Sequence, residues 1–366
     1  MATSVRRWTH ALQDEAASEH RVAELPLWRG ILPARVTEAL LTSVPTAFRG
    51  QVNDGLLAGL ALAVAKWRQK RGVSESSALI RLEGHGREEA VVPGADLSRT
   101  VGWFTSMFPV RLDTNGAALD EAFAGGPAAG KVVKAVKEQL LAIPDKGIGY
   151  GLLRYLNRET AAVLQGHTAG QIAFNYLGRF SAADMPENLR GLGWNEAPGV
   201  DDLVAAPDAD MPLMSTLEIN AHVGDTEDGP CLNARLGFAS GVLSREDVQE
   251  LADLWCAALE GLARHVARPG AGGLTPSDVP LVSVDQRKLE VWEKKYPGLA
   301  DVWPLTSLQS GALPRPVRGY GVRRVPHATG IPPDRSRGAG ADAGRGTGRP
   351  RPLRQPADGV RQRHRR

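Results

Sequence analysis

The chain has 366 residues, 42% of them hydrophobic, enough for one large domain or two ordinary ones with a substantial core. No run of about 18 apolar residues occurs, which excludes a membrane-spanning helix, and the first residues lack the apolar centre of a signal peptide. The net charge of +3 is uneven: residues 314–366 hold fourteen Arg, no Lys and three Asp, a charge of +11, which leaves −8 for the remainder. Any basic-protein reading therefore rests on the tail alone. Cys231 and Cys256, the only cysteines, suit a reducing compartment, and no Cys/His spacing suggests zinc. A cytoplasmic location is expected.

In chain order, Met1 to Pro33 reads as helix and loop, with Trp8 and Trp28 as apolar anchors. In VNDGLLAGLALAVAKWRQKRG, Asn53 or Asp54 can cap a helix, Leu56, Leu57, Leu60, Val64 and Trp67 follow at helical spacing, and Gly72 can end it. SALIRL (Ser77–Leu82) reads as a strand. GKVVKAVKEQLLAI (Gly130–Ile143) places Val132, Val133, Val136 and Leu140 on one helical face, and Pro144 stops it. GIGYG (Gly147–Gly151) reads as a tight turn. Gln171–Leu177, Ser215–Val223 and Cys231–Phe238 are strands separated by Gly- and Pro-bearing loops. A long amphipathic helix follows, with a capping pattern at Ser244 and Asp247 and a buried stripe through Val248, Leu251, Trp255, Leu259, Leu262 and Val266. Beyond Leu313 the hydrophobic periodicity ends, and eight Pro and nine Gly in residues 314–366 predict a disordered tail. The element order implies an α/β fold with a mixed sheet.

The densest group of reactive side chains is LEGHGREE (Leu82–Glu89). Glu83 and His85 lie two apart, on one side of an extended strand, yet no second His/Asp/Glu cluster accompanies them, so no metal is expected. GIGYG lacks the Lys-Ser/Thr of a phosphate loop, and no GxSxG occurs. Strand alternation puts Ile80 and Leu82 on one face and Leu79, Arg81 and Glu83 on the other. Glu83 thus leaves the strand on the face that need not be core, where a carboxylate in a cleft can exchange a proton. The plain alternative is a solvated charged turn.

Further segments accompany this loop in a particular order: VNDGLLAGLALAV, LEGHGREE, RTVGWFTSMFPVRLD (Arg99–Asp113), IPDKGIGYGLLRYL (Ile143–Leu156), FNYLGRF (Phe174–Phe180) and LEINA (Leu217–Ala221). From about Trp8 to Asp285 the chain resembles the condensation-domain superfamily of nonribosomal peptide synthetases, and within it the epimerization domains. Gly102-Trp103-Phe104 stands where ordinary condensation domains tend to carry Gly-x-Phe-Val-Asn. The resemblance implies a chloramphenicol acetyltransferase-like α/β fold with a tunnel between two lobes. It also implies a substrate carried on the 4'-phosphopantetheine of a peptidyl carrier protein, and no directly bound cofactor. The reaction it implies is L-to-D inversion at the α-carbon of an aminoacyl or peptidyl thioester. By the same resemblance Glu83 is the general acid/base, and Asn175 and Tyr176 belong to a motif whose tyrosine lies near the reacting centre, where it orients or relays a proton; the plain alternative is a core strand with Tyr packing. Arg87 and Glu88 pin the loop by salt bridging, His85 is a structural hydrogen-bonding residue, and Trp103 and Phe104 line or brace the tunnel, with plain core packing as the alternative.

The chain departs from that family in one central respect. The His-His-x-x-x-Asp-Gly motif, whose second His is the other catalytic base, is absent; the eight histidines (10, 20, 85, 167, 222, 265, 327 and 364) include no adjacent pair. The expected organisation is a remnant of the N-terminal lobe with a connector (1–33), a C-terminal lobe (34–285), a linker and the start of a following condensation domain (286–313, with VWPLTSLQSGAL), and the tail (314–366). The tail has the composition of GC-rich DNA read out of frame. A catalytically incomplete epimerization-type fragment is therefore expected, partnered by a peptidyl carrier protein and other synthetase modules, with no membrane. The alternatives are a carrier-docking module without catalysis or a peptide-bond-forming condensation domain. Nucleic-acid binding through the tail ranks below both.

Overall fold

The computed structural model describes residues 27–167, 169–180, 187, 214–307, 309 and 360–362. The first 26 residues, with the helix expected there, lie outside the described residues, as does the tail from 314 apart from 360–362. The chain divides into two units, Met1–Ser277 and Asp278–Arg366.

The first unit is built on a six-stranded sheet of order β1-β6-β5-β4-β2-β3. Its strands are β1 (Leu27–Leu32), β2 (Ser77–His85), β3 (Thr105–Asp113), β4 (Ile172–Phe180), β5 (Leu217–Thr226) and β6 (Gly229–Phe238). The three in the middle, β2, β4 and β5, run parallel, and antiparallel partners flank them. The fold is thus mixed α/β with helices packed on a mixed sheet, as the element order implied. β1, at the end of a segment expected to be helix and loop, pairs with β6 along its whole length. Ala34–Phe48 follows as a helical stretch with a π-helical turn at Ala39–Ser43.

Three helices cover one face of the sheet: α1 (Val52–Lys70), α2 (Pro127–Leu141) and α3 (Arg245–Val266). The cap of α1 is Gln51, and Asp54 completes a reciprocal capping box three residues on; neither Asn53 nor Asp54 is the cap itself. At α3 the expected Ser244–Asp247 box forms. Helices α1 and α3 cross closely because Gly59 has no side chain: a Cβ there would stand 2.6 Å from Leu259 Cδ2. Trp255 of α3 donates its Nε1–H to the Leu56 carbonyl at 3.1 Å and meets the Phe174 ring of β4 edge-on, with centroids 6.0 Å apart. The basic C-terminus of α1 meets the acidic N-terminus of α3 through Arg71–Asp247 (2.6 Å), Arg71–Glu250 (2.8 Å) and Lys70–Glu250 (2.7 Å), a pairing that suits both helix dipoles. The core on this face includes Ile80, Leu82, Phe174, Ile219, Ala221, Leu232 and Leu236.

Within the second unit, α4 (Gln286–Lys295) is capped by Asp285, and β7 (Leu299–Val302) pairs antiparallel with β8 (Val360–Gln362). No described helix is long and apolar enough to cross a membrane.

Two outcomes are expected from this packing. Trp255→Ala removes the ring between α1 and β4 and should cost about 3–5 kcal/mol in urea denaturation. His265, buried and stacked on Phe48, is held below the usual imidazole range by burial first and by Arg268 and Lys134 in addition, against backbone groups of Gly125 and Gly126. The folded protein thus resists protonating it, whereas the unfolded chain takes up the proton near pH 6.5. Stability should fall as pH drops below about 6.5, and the fall between pH 7.5 and 5.5 should be smaller in His265→Gln.

Candidate active site

The site begins with β2. Ser77 to Leu82 are all buried, Glu83 and Gly84 are half-buried, and His85 is exposed. Ile80 and Leu82 enter the helix-side core, so Arg81, Glu83 and His85 project from the opposite face. Just before β4, Gly170 lies so near β2 that a Cβ on it would stand 2.6 Å from the Leu79 carbonyl.

A hydrogen-bonded ladder crosses three strands here. His85 Nε2 and Asn175 Oδ1 are 2.6 Å apart, and Asn175 Nδ2 donates to Asn220 Oδ1 at 3.2 Å. Since the amide oxygen can only accept, the ring hydrogen belongs on Nε2; Thr105 Oγ1 faces Nδ1 at 3.4 Å. His85 is thus fixed as a spacer between β3 and β4. Among the described residues no hydrogen bond or ion pair holds the Glu83 carboxylate. The cation that interacts with it is Arg81, one step back on the same face. A half-buried carboxylate that no hydrogen bond holds among the described residues leaves its oxygens available to an incoming group.

The loop after β2 is pinned at several points. Glu88 adopts a left-handed backbone (φ 44°) and pairs with Lys146 at 2.9 Å. Arg87 donates to the Thr100 carbonyl at 3.0 Å and lies 4.7 Å over the Phe104 ring, so among the described residues it holds the loop through a carbonyl and an aromatic face in place of the expected salt bridge. The Leu97 amide donates to Glu89 at 2.6 Å. Lys146 belongs to a run of three left-handed residues, Asp145 (φ 46°), Lys146 (φ 51°) and Gly147 (φ 88°). This run precedes a short helix at Ile148–Gly151, where a tight turn was expected. Gly147 is pressed against the Phe108 ring, which leaves no room for a Cβ.

Beside this face lies a cavity of about 660 Å³, bordered by Arg81, Trp103, Phe104, Tyr155, Gln171 and Ser215 among others. Trp103 is 91% exposed, at the rim, and Phe104 is half-buried under Arg87. Tyr176 does not join this group. It pairs across from Ala221, shares the helix-side face with Phe174 and packs against the core, and burial pushes its phenol up. The structure therefore brings Glu83, His85 and Asn175 to one face and leaves Tyr176 on the other. Arg81 and Asn220 were not singled out from the sequence; an arginine inside SALIRL was the visible signal for the first. Among the described residues no His/Cys/Asp/Glu cluster could hold a metal.

Residues 13–278 match the family described as condensation domain. The chain belongs to that family. It is 39% identical over 284 residues to a linear gramicidin synthase protein of Brevibacillus parabrevis, a match covering 77% of this chain and 3% of that protein. Over 151 residues it is 44% identical to surfactin synthase subunit 2 of Bacillus subtilis (strain 168), covering 41% of this chain and 4% of the relative. Among solved structures it is similar to the epimerization domain from the third module of tyrocidine synthetase B, at 28% identity and a TM-score of 0.54, over 73% of this chain and 57% of that one. The resemblance to the condensation superfamily of nonribosomal peptide synthetases is borne out, with an epimerization domain as a structural neighbour. The chain spans only a few per cent of the gramicidin synthase proteins it matches, 3% of one and 5% of another.

The loop geometry makes one substitution informative. Gly147→Ala combines a left-handed backbone with a clash on Phe108 and should cost about 2 kcal/mol or more in chemical denaturation.

Proposed function

We propose that this condensation-family chain is the catalytic-glutamate half of an epimerization-type site that acts on carrier-bound aminoacyl or peptidyl thioesters. The observation that carries this reading is the half-buried Glu83 carboxylate, which no hydrogen bond holds among the described residues, next to Arg81 at the border of a cavity, in a chain similar to a solved epimerization domain. In this reading Glu83 takes the α-proton while the thioester carbonyl accepts the developing negative charge, which calls for no bound cofactor. The substrate arrives on the 4'-phosphopantetheine of a peptidyl carrier protein, and the other partners are synthetase modules of the same cytoplasmic assembly. His85 and Asn175 set the position of β2 against β4, which fixes where Glu83 emerges. Inversion needs a second acid on the other side of the α-carbon. The HHxxxDG motif that would supply it is not in this sequence, so the chain alone leaves the α-carbon unchanged.

Peptide-bond formation is the rival reading, supported by the family match alone. The two part in one assay: L-to-D inversion of an aminoacyl carrier protein, with and without a separately expressed lobe bearing HHxxxDG. No inversion by the chain alone and inversion by the pair are expected, and Glu83→Gln should slow the pair by about 10²–10⁴-fold. Inversion by the isolated chain, or an unimpaired Glu83→Gln pair, would contradict the proposal.

A further inference from the structure

The charged side chains that border the cavity are all cationic, and the carboxylates of Glu218 and Glu83 interact with Arg81 without bordering it. Arg81, Arg87 and Arg154 border it, and no Asp or Glu does among the described residues. Arg87 and Arg154 are anchored through backbone carbonyls, of Thr100 for the first and of Leu164 and His167 for the second, and these contacts leave their positive charge in place. Arg81 is the deepest of the three, with 8% of its surface exposed. One of its terminal nitrogens donates to the Met214 carbonyl, and the other stands 3.8 Å from the Glu218 carboxylate, beyond hydrogen-bond reach. Its Nε–H has no partner. In the same wall Ser215, 4% exposed, has a hydroxyl with no partner either. A buried guanidinium with an unused donor beside an unused hydroxyl is costly, and an anionic acceptor that reached them would recover part of that cost. Nε and Nη2 form the edge of the guanidinium that matches a carboxylate, and Glu218 approaches the Nη2 end of that edge without hydrogen-bonding to it.

We propose that this cavity receives the carboxylate of an acidic substrate residue, with Arg81 and Ser215 as its donors and Arg87 adding charge at the rim. The assignment rests on the reading that Glu83 acts at the α-carbon of an aminoacyl thioester. Arg81 and Glu83 are two residues apart on one face of β2, about 7 Å by strand rise, a distance that the side chain of Asp or Glu spans together with a hydrogen bond. The aromatic and aliphatic borders, Phe104, Met107 and Ile148, would enclose its methylene stem.

The test is calorimetric binding of the full chain to glutamyl-, glutaminyl- and leucyl-pantetheine amides, in which an amide replaces the labile thioester, and to unloaded phosphopantetheine. The glutamyl amide should bind about tenfold more tightly than the glutaminyl amide. Arg81→Met should bring those two within twofold and leave the leucyl amide unchanged. Arg87→Gln, at the exposed rim, should weaken the glutamyl amide alone, by about threefold; it provides the same test if Arg81→Met fails to fold. Equal binding of the three amides by the unmodified chain would overturn the acidic side-chain assignment and spare the thioester reading. Arg81-dependent binding of unloaded phosphopantetheine would also overturn it, by assigning the cavity to phosphate. No binding of any amide would overturn both.

Discussion

The burial of Ile80 and Leu82 beneath the helices decides which side chains of β2 reach the opposite face of the sheet. Both side chains are enclosed on the helix side, Ile80 completely. Because neighbouring residues in a strand point to opposite faces, Arg81, Glu83 and His85 have only the other face to occupy, and a slip of one residue would exchange the two sets. The register of β2 is held from both sides, by β3 along all nine residues from Ser77–Asp113 to His85–Thr105, and by β4 at Ile80, Arg81 and Leu82. The carboxylate is placed by apolar residues that never meet a substrate.

Along that polar face exposure rises in three steps. Arg81 is enclosed, Glu83 is half-buried and His85 reaches solvent. Glu83 thus stands between an enclosed cation, with which it interacts, and an exposed ring. The left-handed residues at 88 and 145–147 tie the loop after β2 to the segment that borders the cavity, through Glu88 and Lys146. Strain of this kind is kept only where surrounding contacts impose it, and here it accompanies the proposed site.

Much of this was legible because it depends on neighbours in sequence. The alternation of SALIRL assigned Glu83 its face, and the apolar stripe with Ser244 and Asp247 located α3. What escaped depends on distant partners or on exceptions. β1 is a short run whose partner β6 lies some two hundred residues on. β3 contains Pro109, which argues against a strand, but it is the edge of the sheet, where a missing N–H costs little. Gln51 is a rare helix cap and works here because Asp54 answers it. The three left-handed residues that turn Ile148–Gly151 into helix have no marker beyond Gly147. Asn220 joins the site only because β5 lies beside β4, a neighbour relation that no local pattern carries. FNYLG as a string does not say which residue faces which way; the sheet separates Asn175 from Tyr176.

The central claim is that the polar sheet face, and not the helix side, meets the carrier-borne substrate. Backbone amide shift mapping by NMR tests it most directly, with the isotope-labelled chain titrated with a carrier protein whose pantetheine bears an aminoacyl amide. The account predicts the largest perturbations at Glu83, His85, Asn175 and Asn220. Perturbations confined to the helix side around Tyr176 and α3, with the polar face silent, would contradict it.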